Sequence, residues 1–121
     1  SKGREIIDAL LENYRLDGVG YINILRNIAE HHHEAYDGSG YPHGLSATDI
    51  PIEARIVAVA DIFDALTSKR TYKEAWSNEK AFETLKSMAG IKLDVRCVEV
   101  LIENEEKILH IQKSFQENSF G

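Results

Sequence analysis

The stretch HHHEAYDGSGYPHGLSATDIPIEARIVAVADIFDALTSKRTYK, residues 31–73, decides how the rest of the chain reads. It sets three consecutive histidines at the end of one apolar-periodic segment, crosses a turn holding Gly38, Gly40, Pro42 and Gly44, and enters a second periodic segment containing Asp61 and Asp64. In that second segment Ile52, Ile56, Val59, Ala60, Phe63 and Leu66 recur at spacings of three and four, which predicts a helix from about Pro51 to Ser68 with those residues facing a core. Pro51 near its start loses no needed N–H, and Asp49 or Thr48 is available as a cap.

Outward from there, further segments show helical periodicity. Ile6, Ile7, Leu10, Leu11 and Tyr14 predict an amphipathic helix over Arg4 to Tyr14, and the Gly18/Gly20 pair breaks it. A second helix starts near Tyr21 with Ile22, Leu25, Ile28 and Ala29 as its buried stripe, which one more turn extends to His32 and His33. On the other side, Asn78 to Met88 reads as a helix capped by Ser77 and stopped by Gly90. Asp94 to about Phe115 reads as one last helix using Val95, Val98, Leu101, Ile102, Ile108 and Ile111, with fraying expected from Gln116. No strand pattern, repeat or linker interrupts this order. The expected class is all-α, about five packed antiparallel helices.

Composition narrows the function. At 121 residues, 43% hydrophobic and 28% charged, the chain is sized for one domain or part of one. A formal charge of -6 spread without blocks argues against wrapping duplex nucleic acid, although a small anion could use a local basic spot. The single cysteine, Cys97, lies in an apolar pattern and reads as core. No apolar run reaches the roughly 18 residues of a membrane span, and the first residues do not read as a signal peptide. A cytoplasmic location is expected.

Histidine and aspartate supply the chemistry. Neighbouring helical side chains diverge by about 100°, so His32 and His33 would hold one ion together only with difficulty but can serve two adjacent ions. On spacing alone, packed or solvated histidines at a helix C-terminus remain an alternative. Asp61 and Asp64, three apart, share a helical face inside an apolar run where an unpaired buried carboxylate costs several kcal/mol. Each therefore calls for a metal, a base or a hydrogen-bond network, or else lies on a solvated edge beside Lys69 or Arg70. Histidine with carboxylate suits divalent iron, manganese or zinc, and mixed nitrogen and oxygen ligation favours the first two.

Taken together, HHHEAYDGSGYPHGL and IPIEARIVAVADIFDALTSKRTYK, with Asp61 lying 28 positions beyond His33, resemble the signature of the HD-GYP family of bacterial cyclic di-GMP phosphodiesterases, part of the HD metallohydrolase group. The match covers most of positions 29 to 76. The resemblance implies that His32, His33 and Asp61 are metal ligands for two or more divalent ions. It also implies that Gly40, Tyr41 and Pro42 wall the nucleotide site, and that Asp64, Arg70 and Lys73 reach the cyclic dinucleotide. His31 has no implied role. Tyr36 stands where the family often has tryptophan and Thr71 where it usually has proline, changes that look tolerable.

One departure bears on activity. The family's His-Asp pair lies upstream of the matched motifs, and no His-Asp dipeptide occurs in this sequence. The expectation is therefore a partial HD-GYP-like domain over residues 1–121, truncated or degenerate, with an incomplete metal site and at most trace hydrolysis by itself. A non-catalytic nucleotide- or protein-binding module, or a hydrolase of another nucleotide, stays open beside it. An upstream sensory or receiver domain fits the same reading. Ile6, Leu10, Ile28, Ile56 and Phe63 are expected to form an apolar patch that upstream helices would cover, and its burial against a second copy predicts a homodimer.

Overall fold

The periodicity of residues 52–67 does produce a helix, and the other helices pack around it. The computed structural model of the chain describes residues 2–13, 36–39, 46, 49–69 and 74–118. Among them are α1 (Lys2–Asn13), α2 (Ile52–Thr67), α3 (Asn78–Met88), α4 (Val95–Glu103) and α5 (Glu105–Asn118). The described residues form no β-strand, only two isolated bridges. The class is all-α. The expected helix from Tyr21 to the histidines lies outside the described residues.

Helix α2 is the hub because its core stripe meets three partners. It packs on α1, α3 and α4, while α1 also reaches α5. Ile56, Val59, Ala60 and Phe63 are fully buried and face Ile6 and Leu10 of α1, Leu85 of α3, Leu101 of α4 and Ile108 of α5 within one cluster. The Phe63 and Phe82 rings stack with centroids 5.5 Å apart, an arrangement that contributes beyond its area burial. Cys97 is buried in the same cluster, as its pattern predicts.

Several expectations need correction. Ile6, Leu10, Ile56 and Phe63 do not form an outward patch, since all four are at most 1% exposed inside a single chain. These four therefore supply no exposed patch for a second copy; Ile28 lies outside the described residues. The last helix is two: Asn104 ends α4, its side-chain amide donating to the Val100 carbonyl at 2.7 Å, and Glu105 begins α5. Asparagine competes for backbone partners in this way and breaks helices. Val95, the first residue of α4, is 45% exposed rather than buried. Helix α5 also continues past Gln116 to Asn118. At α2, Pro51 itself takes the cap position with no side-chain cap hydrogen bond, so Asp49 does not cap it; Thr48 lies outside the described residues.

The other caps follow from the sequence. Ser77 Oγ accepts from the Lys80 N–H at 3.1 Å at the start of α3. Gly90, with φ of 82°, supplies the left-handed residue that ends the α3 connection. Ser77→Ala is expected to cost about 1 kcal/mol of stability in urea unfolding, and Ser77→Asp close to nothing, because aspartate caps as well as serine. Equal losses for both substitutions would show that the cap contributes nothing. Among the described residues no helix is long and apolar enough to cross a membrane.

Candidate functional site

Helix α2 carries a second stripe, and the candidate site lies along it. Ala54, Val57, Asp61, Asp64 and Ser68 follow one another at spacings of three or four, so they run down one flank of the rod. Its first half is buried, with Ala54 2% and Val57 5% exposed. Its second half is polar. Asp61 is exposed, and the Asp64 side chain keeps 27% of its surface. The expectation that both carboxylates sit inside an apolar field is therefore corrected: the apolar neighbours in sequence face the core, and the two aspartates turn away from it.

Asp64 is held from two sides. Ser68 Oγ donates to its Oδ1 at 3.0 Å, and Lys2 Nζ lies 3.5 Å from the same oxygen while donating to Ser68 Oγ at 2.7 Å. The cation on Asp64 among the described residues is thus Lys2 of α1; Arg70, which the solvated-edge alternative offers, lies outside the described residues. Gly3 makes the approach possible, because a Cβ there would stand 3.2 Å from Asp64 Oδ2. This network ties the start of α1 to the last turn of α2.

The glycine-rich loop is anchored at both ends. Asp37 bridges Ser46 in antiparallel fashion, closing the chain between them into a loop. At the entry, the Ser39 N–H donates to Asp37 Oδ1 at 3.0 Å, Lys92 Nζ lies 3.1 Å from Asp37 Oδ2 and also donates to Ser39 Oγ. The Tyr36 N–H donates to the Lys92 carbonyl at 3.2 Å. The Ser39 hydrogen bonds, side chain then backbone, together with Lys92, hold the Asp37 carboxyl down at about 2. Its folded pKa lies below the ordinary 3.9, so its contribution is complete above that value and is lost only as pH falls toward 2.

At the exit the anchor is Arg55. Its Nε donates to the Ile50 carbonyl at 2.9 Å and its Nη1 to Asp94 Oδ2 at 2.8 Å. Asp94 also caps α4, its Oδ1 accepting from the Cys97 N–H at 2.9 Å. Burial alone would raise the Asp94 carboxyl, but the hydrogen bonds from Arg55 and the Cys97 N–H outweigh it and hold it below the usual carboxylate range. Tyr36, Ile50, Ala54, Arg55, Leu93 and Asp94 line a void of about 10 Å³ between the loop base and this pair. The sequence reading missed Arg55, Lys92 and Asp94 as residues that place the loop. The signal for Asp94 was its capping position, and nothing local marked the other two.

Of the expected site residues, the structure places Asp61 and Asp64 on one flank of α2. His32, His33, Gly40, Tyr41, Pro42, Arg70 and Lys73 lie outside the described residues. Among the described residues no three histidine, cysteine, aspartate or glutamate side chains cluster. The donor set of two imidazoles and a carboxylate fits a divalent ion, and Asp61 is open to solvent where an ion could reach it.

Comparison with known proteins bears on a helical fold with a glycine-rich loop clamped beside an acidic helix flank. A family model described as HD domain matches residues 10–97. The chain belongs to the HD domain family, and its His-His-Glu and Gly-Tyr-Pro motifs place it in the HD-GYP branch. It is similar to the cyclic di-GMP phosphodiesterase response regulator RpfG of Xanthomonas campestris, 50% identical over 95 residues that cover 78% of this chain and 25% of that protein. It is also similar to a 3'3'-cGAMP-specific phosphodiesterase of Vibrio cholerae, 43% identical over 77% of this chain and 18% of the relative. A cyclic di-GMP phosphodiesterase of Thermotoga maritima is 44% identical over 71% of this chain and 23% of the relative. The chain spans about a quarter or less of the length of these relatives.

Proposed function

We propose that this chain is part of a metal-dependent phosphodiesterase that hydrolyses a cyclic dinucleotide, cyclic di-GMP first among them, in bacterial signalling. The supporting observation is the coincidence of motif and placement. Asp61, the carboxylate that the HD-GYP resemblance makes a ligand, is on the solvent-facing flank of α2 rather than in its core stripe. The relatives' names divide between cyclic di-GMP and 3'3'-cGAMP, so the substrate class is firmer than the choice within it.

In this reading His32, His33 and Asp61 hold divalent ions, with iron or manganese favoured and two or more in the intact site. Such ions, when bound, supply a nucleophile at neutral pH and neutralise charge on the leaving oxygen. Arg70 and Lys73 engage the phosphates, the first as a fork and the second as a point charge. Gly40, Tyr41 and Pro42 wall the nucleotide. A carboxylate repels phosphate, so Asp64 serves by accepting from a base N–H or by orienting a cation, as it already does with Lys2. One water is consumed for each P–O bond broken.

Residues 1–121 are then a partial domain that needs the His-Asp pair from elsewhere in the protein, and a cytoplasmic location belongs to the same proposal. An upstream sensory or receiver domain fits too, since the Xanthomonas relative is named a response regulator. The decisive experiment assays cyclic di-GMP and 3'3'-cGAMP hydrolysis with manganese or iron(II). A protein extended upstream to include the His-Asp pair is expected to turn over, and the 121-residue chain to show at most a trace. Robust turnover by the short chain, abolished by His33→Ala, would show that the His-Asp half is dispensable. No turnover by either would sink the enzymatic reading.

A further inference from the structure

We propose that Lys92 is a positioning residue for substrate binding, acting through the glycine-rich loop whose entry it holds. The proposal rests on the cyclic-dinucleotide reading above, but the geometry behind it is independent of that reading. Lys92 sits in the short turn between α3 and α4, far from the loop in sequence. That turn is itself fixed: Gly90 donates its N–H to the Leu93 carbonyl at 2.7 Å, Lys92 its own N–H to the Met88 carbonyl at 3.0 Å, and Leu93 is 2% exposed.

From this fixed base Lys92 grips the loop entry at three points. Its ammonium meets Asp37 Oδ2 at 3.1 Å and donates to Ser39 Oγ, and its carbonyl accepts the Tyr36 N–H at 3.2 Å. Asp37 in turn pairs with Ser46, so one cation fixes a point that both arms of the loop share. A lone exposed ion pair would carry little weight. Here the ammonium bridges two acceptors that are already joined by the Ser39 N–H to Asp37 hydrogen bond, and the geometry is set from the backbone as well. Gly40, Tyr41 and Pro42 directly follow this anchored segment in sequence.

The consequence is a population effect. A loop released from its anchor spends only part of its time in the binding-competent arrangement, and apparent affinity falls by that fraction. Asp61 is on another element and takes no part in this anchor.

The test uses the intact, metal-loaded protein with Lys92→Met and Lys92→Arg. Lys92→Met is expected to raise KM for cyclic di-GMP about five- to tenfold with kcat within about twofold. Amide hydrogen exchange over residues 36–46 should accelerate in the same variant. Lys92→Arg, which keeps a cation able to bridge Asp37 and Ser39, should restore most of both. Unchanged exchange in Lys92→Met would overturn the anchor, and faster exchange with unchanged KM would overturn its role in binding. A fall in kcat alone would also count against it. Absence of turnover in the unaltered protein would overturn the functional reading instead, and the exchange rates would still decide whether Lys92 holds the loop.

Discussion

Asp94→Ala is expected to lower the unfolding free energy by about 3–4 kcal/mol, which for a chain of this size is on the order of 10–15 °C in Tm. Two losses combine. The first is the pair with Arg55, whose side chains keep only 15% and 8% of their surface, so removing the carboxylate strands a guanidinium in a largely dry position. The second is the α4 cap on the Cys97 N–H, worth about 1 kcal/mol. Asp94→Asn separates them, because asparagine caps as well as aspartate but brings no charge; it should recover roughly the cap and no more. Urea unfolding at pH 7 is the measurement. A midpoint for Asp94→Ala within error of the parent would mean that water, not Asp94, satisfies Arg55.

The pair also sets a pH dependence. Because the Asp94 carboxyl titrates below its unfolded value, its contribution is complete above about pH 4 and declines as pH falls through the folded pKa. The parent chain should therefore lose stability on acidification more steeply than Asp94→Asn. Parallel acid-unfolding curves for the two would contradict that assignment.

Asp61→Ala and His33→Ala are each expected to reduce bound metal and cyclic-dinucleotide hydrolysis at least about 100-fold in the upstream-extended protein. The lower bound comes from outer-shell substitutions, which already cost about 10–100-fold in affinity or activity. Asp61→Ala should change the stability of the fold by less than about 1 kcal/mol, since the side chain is exposed on α2. That contrast separates a ligand from a structural residue. Elemental analysis of purified variants together with turnover provides the check. Parent-like metal content in Asp61→Ala would remove it from the ligand set, whatever happens to the rate.

Comparing sequence with structure shows where each kind of information stops. Local spacing was sufficient for α1, α2 and α3, because an apolar stripe repeating at three and four residues has no other way to be buried. It was sufficient for Ser77 and Gly90 too, whose roles depend on residues within one turn. Periodicity failed at Asn104, where a competing side-chain amide splits an otherwise continuous pattern. It failed more instructively at Asp61 and Asp64. The run IVAVADIFDAL looks uniformly apolar when read along the chain, yet only the Ile56, Val59, Ala60 and Phe63 stripe enters the main core, and the aspartates lie on another flank.

The sequence by itself determined the all-helical class, the family signature and the types of residue offered to a metal and a phosphodiester, since these depend on composition, period and motif. Only the tertiary structure decided what holds those residues in place. Lys2 on Asp64, Lys92 on Asp37 and Arg55 between Ile50 and Asp94 each join segments that are distant in sequence or belong to different helices and loops. Long flexible cations like these leave no periodic trace in a sequence. Their partners are chosen by which helix ends and turns the buried core brings together, and that choice exists only once α2 has been surrounded.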